Sequence, residues 1–350
     1  MARKKVLAVA HDKGGLNLLA PLLKAWKGHA GIEASFASTP AVCADMCVRV
    51  PEVVLAPWTD KLTEQVCASR AMLSTIICEK LPGYDAVVCG TSANAVLERQ
   101  TLRDAHTCGV PSISFCDMWC AYLVRYTDGP EWCAPEVLWT LDKRMSDEAA
   151  AIAWPDRPQI EAVGSPFFQE LAELPAIQPS ENAAIRFISE PALRYFPECR
   201  VSEYEIAHHL IRTARSAGIQ RRIVIRTHPD DAIETWRRLA WEYREQNVEL
   251  DVRPMSACLQ DTHQAVGISS MLLLEMRLRR IPAAYIHPDG SDPAYFCLPF
   301  EDFQIRALRT GEQLVQWLKN PTDGMAARIN PPHKTAVSNA TESLLKLVNR

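Results

Sequence analysis

Val6-Leu7-Ala8-Val9-Ala10 is an unbroken apolar run; His11-Asp12-Lys13-Gly14-Gly15 follows it, and Leu16 to Trp26 then carries apolar residues at helical spacing. A strand that is apolar at every position is covered on both faces, the habit of parallel sheets. The unit recurs as Asp85 to Cys89, a helix over Ala93 to Ala105, and Pro111 to Phe115. A second series runs through Ala184 to Ser189, a helix over Glu203 to Ala217, Arg222 to Arg226, a helix over Thr235 to Glu245, Val266 to Ile268, a helix from Ser270 to Arg279, and Pro282 to Ile286. Between the two lies Glu173 to Asn182, polar and proline-bearing, which reads as a linker. The alternation predicts an α/β chain of two Rossmann-like domains, residues 1–178 and 183–350. Their parallel sheets would face a cleft at the carboxyl ends of the strands.

Composition supports that size. The 350 residues suffice for two domains of the usual ~100 to 200 residues, and 48% hydrophobic against 23% charged excludes a disordered chain. A formal charge of -4 gives no basic footprint, so no nucleic-acid partner is expected and any anionic ligand must be gripped locally. Val6 to Ala10 is too short for a signal-peptide core, and no stretch approaches the ~18 apolar residues of a membrane span. The chain therefore reads as cytoplasmic with no transmembrane segment, a reading that leaves peripheral membrane association open. Among the twelve cysteines, Cys108, Cys116, Cys120 and Cys133 lie closest together without forming a C-x-x-C, so free thiols are expected, with no metal and no cofactor.

The candidate chemistry sits where strands end. His11 to Gly15 is either a tight turn or, through Gly14 and Gly15, a place where backbone approaches a ligand. It is not G-x-G-x-x-G, and no P-loop pattern occurs. Gly90-Thr91-Ser92 ends the Asp85 strand, and Asp117 follows the Pro111 to Phe115 strand with Trp119, Tyr122 and Arg125 beyond it. Asp117 is placed to act as a general base beside aromatic residues that stack on a sugar, or else to pair with Arg125. Arg226-Thr227-His228-Pro229 sets a fixed cation and an imidazole at one strand end, a combination suited to a phosphate leaving group. Gly267-Ile268-Ser269-Ser270 opens a helix whose amino end offers hydroxyls and free N–H groups to an anion, with Glu275 placed to reach ribose hydroxyls; the plainer reading is a serine cap.

The strand and glycine turn, Gly164-Ser165-Pro166, Arg226-x-His228-Pro229, and Gly267-x-Ser269-Ser270 with Glu275 together resemble the GT-B superfamily of nucleotide-sugar enzymes. The His-Pro and Ser-Ser pair is similar to bacterial sialyltransferases and capsule-polysaccharide glycosyltransferases; Asp128-Gly129 keeps the second half of their paired-acid-then-glycine motif. That resemblance implies a CMP-sugar donor, such as a sialic or related nonulosonic acid, and a glycan acceptor in surface-polysaccharide assembly. It puts the acceptor on the first domain (Thr91, Ser92, Trp119, Tyr122, Arg125) and the donor on the second (Arg226, His228, Ser269, Ser270, Glu275). Gly14 and Gly15 would close over the phosphate, Asp117 and His228 would be catalytic, and the last helix, Lys334 to Val348, would pack back on the first domain. The order Gly90-Thr91-Ser92, Asp117, Gly164, His228, Ser269, Glu275 also resembles UDP-N-acetylglucosamine 2-epimerase, which implies a UDP-sugar and no acceptor. A non-catalytic nucleotide- or glycan-binding subunit is the third alternative.

Overall fold

The computed structural model describes every residue except 1, 93–95, 196–199, 254, 288–296 and 323–333. The chain divides into two compact units, Met1–Glu170 with Pro331–Arg350, and Leu171–Asn330. The strands are β1 (Lys4–Val9), β2 (Ile32–Ala37), β3 (Ala86–Cys89), β4 (Ser112–Phe115), β5 (Thr127–Asp128), β6 (Glu131–Trp132), β7 (Val137–Thr140) and β8 (Gln159–Ala162) in the first unit. In the second they are β9 (Ala184–Ile188), β10 (Ile223–Arg226), β11 (Val248–Asp251), β12 (Thr262–Gly267), β13 (Ala283–Ile286) and β14 (Arg306–Leu308). Two six-stranded sheets result, β2-β1-β3-β4-β7-β8 and β11-β10-β9-β12-β13-β14, while β5 and β6 form a separate antiparallel pair. Every pairing within the two large sheets is parallel.

The apolar runs make the central strands. Val6 to Ala10 are wholly buried, as are Ala86 to Cys89 and Ala184 to Phe187. In each sheet the chain order reverses once, between β1 and β3 in the first unit and between β9 and β12 in the second. A further parallel bridge, Phe36 with Leu55, extends the first sheet past β2, giving both sheets the same order outward from their first strand. Such a reversal leaves a crevice at the carboxyl ends of the two flanking strands, because the connecting loops part there.

The helix Lys13–Lys27 starts where Asp12 caps it, its Oδ1 accepting from the Gly15 N–H at 3.1 Å. Pro21 lies inside this helix and is buried; it removes one backbone donor without ending the element. The helix Ala336–Val348 packs on the first unit: the Trp26 indole N–H donates to Thr341 Oγ1 at 2.9 Å and that of Trp139 to Ser343 Oγ at 2.8 Å. The stretch read as a linker is instead fastened to the second unit. There the Ile177 N–H donates to the Arg279 carbonyl at 3.2 Å and the Ser180 N–H to that of Gln260 at 2.9 Å.

Candidate functional site

In the first unit, the loops after β1, β3 and β4 meet on glycine. A Cβ on Gly90 would lie 2.6 Å from the Gly15 Cα, so the two loops touch backbone to backbone. A Cβ on Gly14 would lie 2.5 Å from Asp117 Oδ2 and 3.4 Å from Asp12 Oδ1. Gly14 and Gly15 thus make room for Gly90 and two carboxylates of the unit itself. No phosphate is needed to explain them.

Asp117 lies at the end of β4, half-buried, with its Oδ1 accepting from Arg125 Nη1 at 2.6 Å and from Thr91 Oγ1 at 3.3 Å. Burial raises its carboxyl above the ordinary range, although Arg125 pulls the other way. Thr91 also donates to the Phe115 carbonyl at 3.2 Å, which ties β3 to β4; Ser92 beside it is half-buried. Arg125 is buried, so the pairing of Asp117 with Arg125 is the one the structure adopts.

The expected sugar platform is absent from this surface. Trp119 is only 2% exposed, stacks on Phe168 with ring centroids 6.5 Å apart, and donates its indole N–H to Asp142 Oδ2 at 2.6 Å. Tyr122 is buried and donates to Glu148 Oε2 at 2.9 Å. Both rings are core residues, held by polar partners that their tips would otherwise lack. Asp128, the half-motif acid, pairs with Arg70 and Arg103.

One group at this site escaped the sequence reading. Glu98, on the helix Val96–Cys108, is 1% exposed, and its Oε1 accepts the His11 N–H at 2.5 Å. Burial first, then the charge of Asp12, pushes its carboxyl up to about 8, against the pull of the His11 N–H. At neutral pH Glu98 is therefore a neutral acid beneath the turn that presents Asp12. Burial also lowers the His11 imidazole, keeping it neutral.

In the second unit the loops after β9, β10 and β12 carry the candidates. Gly267 is required by a close strand approach, since a Cβ there would lie 2.8 Å from the Ile188 carbonyl oxygen. Ser189 and Ser269 follow directly on these adjoining strands. Both are buried, and neither hydroxyl has a hydrogen-bond partner among the described residues. Ser270 caps the helix Met271–Leu278 by position, but its side chain makes no capping bond; instead its hydroxyl donates to Glu190, the second missed residue. Burial, together with Asp231 and Asp230, pushes Glu190 up to about 8, against the bond from Ser270. Glu275 lies half-buried on the same helix.

The strand-end cation is otherwise engaged. Arg226 Nη1 donates to the carbonyls of Arg253 and, at 3.5 Å, Asp251, so one edge of its guanidinium holds the turn after β11. His228 Nδ1 accepts from the Asp230 N–H at 3.1 Å, and burial lowers its value. The ring is consequently neutral, with its proton on Nε2. Asp231 Oδ2 accepts from the His228 N–H at 2.8 Å and the Trp236 indole at 2.9 Å. Ser189, Glu190 and Asp231 all sit one or a few residues past a strand end, the rule that located His228; applied to β9, it would have found the first two.

Among the described residues no group of three or more His, Cys, Asp or Glu side chains is arranged to hold a metal ion, and the described cysteines are free thiols. No described helix is long and apolar enough to cross a membrane.

No protein-family model matches the chain, and no curated protein matches it. Solved structures do. UDP-GlcNAc 2-epimerase from Neisseria meningitidis, bound to UDP-GlcNAc, is 14% identical over 98% of this chain and 100% of that one, with a TM-score of 0.67. The UDP-GlcNAc 2-epimerase of Methanocaldococcus jannaschii is 10% identical over 98% and 99%, also at 0.67. The glycotransferase of kitacinnamycin is 15% identical over 99% and 100%, at 0.59. At these identities the likeness shows the fold: two α/β units with six-stranded parallel sheets, of the GT-B type.

Proposed function

We propose that this protein is an enzyme acting on a nucleotide sugar by acid–base chemistry at the sugar, as an epimerase or hydrolase, without a glycan acceptor. The observation that carries the reading is the convergence of Asp12 and Asp117 on Gly14, with Trp119 and Tyr122 held in the core away from any acceptor. Epimerisation at a carbon bearing hydrogen removes a proton from one face and returns one to the other, so it needs groups of opposite protonation in one place. Asp117, whose carboxyl burial raises, and Asp12 beside it bring two carboxyl groups to one place. Asp117 acts as the base, because Arg125 and Thr91 hold its Oδ1 and leave its orientation fixed. Ser269, Ser270 and the helix they open take the phosphate, with neutral His228 as a hydrogen-bond donor and Glu275 toward the ribose.

UDP-GlcNAc is the first substrate to test, since structures of this fold carry it. In deuterated water the expected product, followed by NMR, is the C2 epimer with deuterium at C2 for an epimerase, or free sugar and UDP for a hydrolase. CMP-sugars serve as the parallel arm. The reading fails if neither class is altered when no acceptor is present. Glycosyl transfer, the second reading, draws on the likeness to the kitacinnamycin glycotransferase and requires turnover only after an acceptor is added.

A further inference from the structure

We propose that Glu190 belongs to the anion site of the second unit as a neutral carboxylic acid that donates a hydrogen bond to the bound phosphate, so that the site holds its anion only while this carboxyl keeps its proton. This rests on the reading of that site as the phosphate grip. The geometry begins with two hydroxyls, Ser189 at 2% exposure and Ser269 at 8%, on the ends of adjoining strands β9 and β12 and without partners. Buried hydroxyls left unmatched are costly in a folded protein, and a ligand that accepts from both removes the cost. Beside them the helix Met271–Leu278 begins with no side-chain cap, leaving its first N–H groups to face an acceptor.

Glu190 is the difficulty, and also the device. Its carboxyl holds the Ser270 hydroxyl at this same helix start, and an ionised carboxylate there would repel phosphate. The charges that face it do not neutralise it. Asp230 and Asp231, from the loop after β10, both act to raise it; Glu203, at the start of the helix Glu203–Ser216, is raised too, by burial first and by Asp231. Arg194, on the short helix Ala192–Tyr195, pairs with Asp230 at 3.7 Å, Arg226 is held by backbone carbonyls, and His228 is neutral. A carboxyl in these surroundings keeps its proton through neutral pH, and a protonated carboxyl is a donor to a phosphate oxygen. Its value of about 8 sets where the donor is lost.

Sulfate is the cleanest probe, because its own charge does not change across the range, and UDP is the second. With Glu190 titrating near 8, sulfate should bind roughly 30-fold more weakly at pH 9.5 than at pH 7. Glu190→Gln keeps a neutral donor and cannot ionise, so its affinity should stay level over the same range. Ser269→Ala combined with Ser189→Ala should weaken sulfate at pH 7 at least tenfold, which locates the ion. A level profile in the natural protein, an equal fall in Glu190→Gln, undiminished binding in the double serine variant, or no sulfate binding at pH 6.5 each overturns the proposal. If Glu190→Gln does not fold, the profile of the natural protein with that of the serine variant still decides. Turnover of UDP-GlcNAc without this pH dependence would sink Glu190 and leave the proposed function standing; the dependence without turnover would do the reverse.

Discussion

The two sheet reversals are built from the same parts and finished differently. At each, a glycine lets two strand ends or their loops touch, and at each a glutamate is held near 8. In the first unit the strand-end groups bond to one another, Asp117 with Arg125 and Thr91, Asp12 with the Gly15 N–H, Glu98 Oε1 with the His11 N–H, while Glu98 Oε2 and His11 Nδ1 are buried without a partner among the described residues. In the second, Ser189 and Ser269 are buried with nothing to bond, and Asp231 leaves one oxygen unmatched. A satisfied network fixes positions, as proton transfer demands; an unsatisfied one is completed by something else, as binding demands. The bonded Asp117 on one side and the unbonded Ser189 and Ser269 on the other are what the proposed function builds on when it puts proton transfer in one unit and grip in the other.

The sharpest way to break that division is Asp117→Asn. A general base contributes ~100-fold to 10,000-fold of rate, so turnover should fall by that order while nucleotide affinity, measured by calorimetry, stays within about twofold. Loss of both together would make Asp117 a structural partner of Arg125 and erase the contrast.

Glu98→Gln probes the buried carboxyl of the first unit. Folding holds a proton on Glu98 up to about 8, against 4.5 for an ordinary glutamate. Its contribution to stability is therefore full below pH 4.5 and is lost as the pH climbs to 8. Glutamine has no such loss, so the variant should gain on the natural protein across that window, on the order of 4 kcal/mol by pH 8. Chemical denaturation at pH 5 and pH 8 reads it; a gap that does not widen with pH would show that Glu98 does not titrate there.

Gly90→Ala forces a methyl against the Gly15 backbone, where no side chain can swing aside. It should cost ~1 to 3 kcal/mol. The smallest effect belongs to the other unit. Ser189→Ala removes a buried hydroxyl that bonds to nothing, so stability should hold or rise by up to about 1 kcal/mol while anion affinity falls. A serine that proves stabilising in the free protein would mean its partner was internal, and the two reversals would then be alike.

Much of this was legible in the chain. Strands β1, β3, β4, β9, β10, β12 and β13 announce themselves because sheet burial on both faces demands continuous apolar residues. The edge strands do not. Gln159–Ala162 has no fully buried residue, and Arg306–Leu308 has one. Strand ends led to Asp117, His228 and Ser269, but what each side chain does there depends on distant neighbours. Arg226 reads as a phosphate ligand until the turn after β11 offers it two carbonyls. Glu98 was hidden for the opposite reason: Glu98, Arg99, Gln100, Thr101 and Asp104 are all polar, a composition common on exposed helices, yet all five are buried.

The indole N–H groups of Trp26 and Trp139 are buried in the first unit and wait on acceptors supplied by Thr341 and Ser343. A polypeptide emerging from the ribosome makes both tryptophans well before their partners. Through most of synthesis, then, the unit that begins the chain has its sheet sequence complete but two donors unmatched, each worth about 1 to 3 kcal/mol if enclosed without a partner. It reaches its finished state only after the whole of the second unit has been translated, so a chain broken off before Thr341 leaves a protein whose flaw lies in a part made earlier.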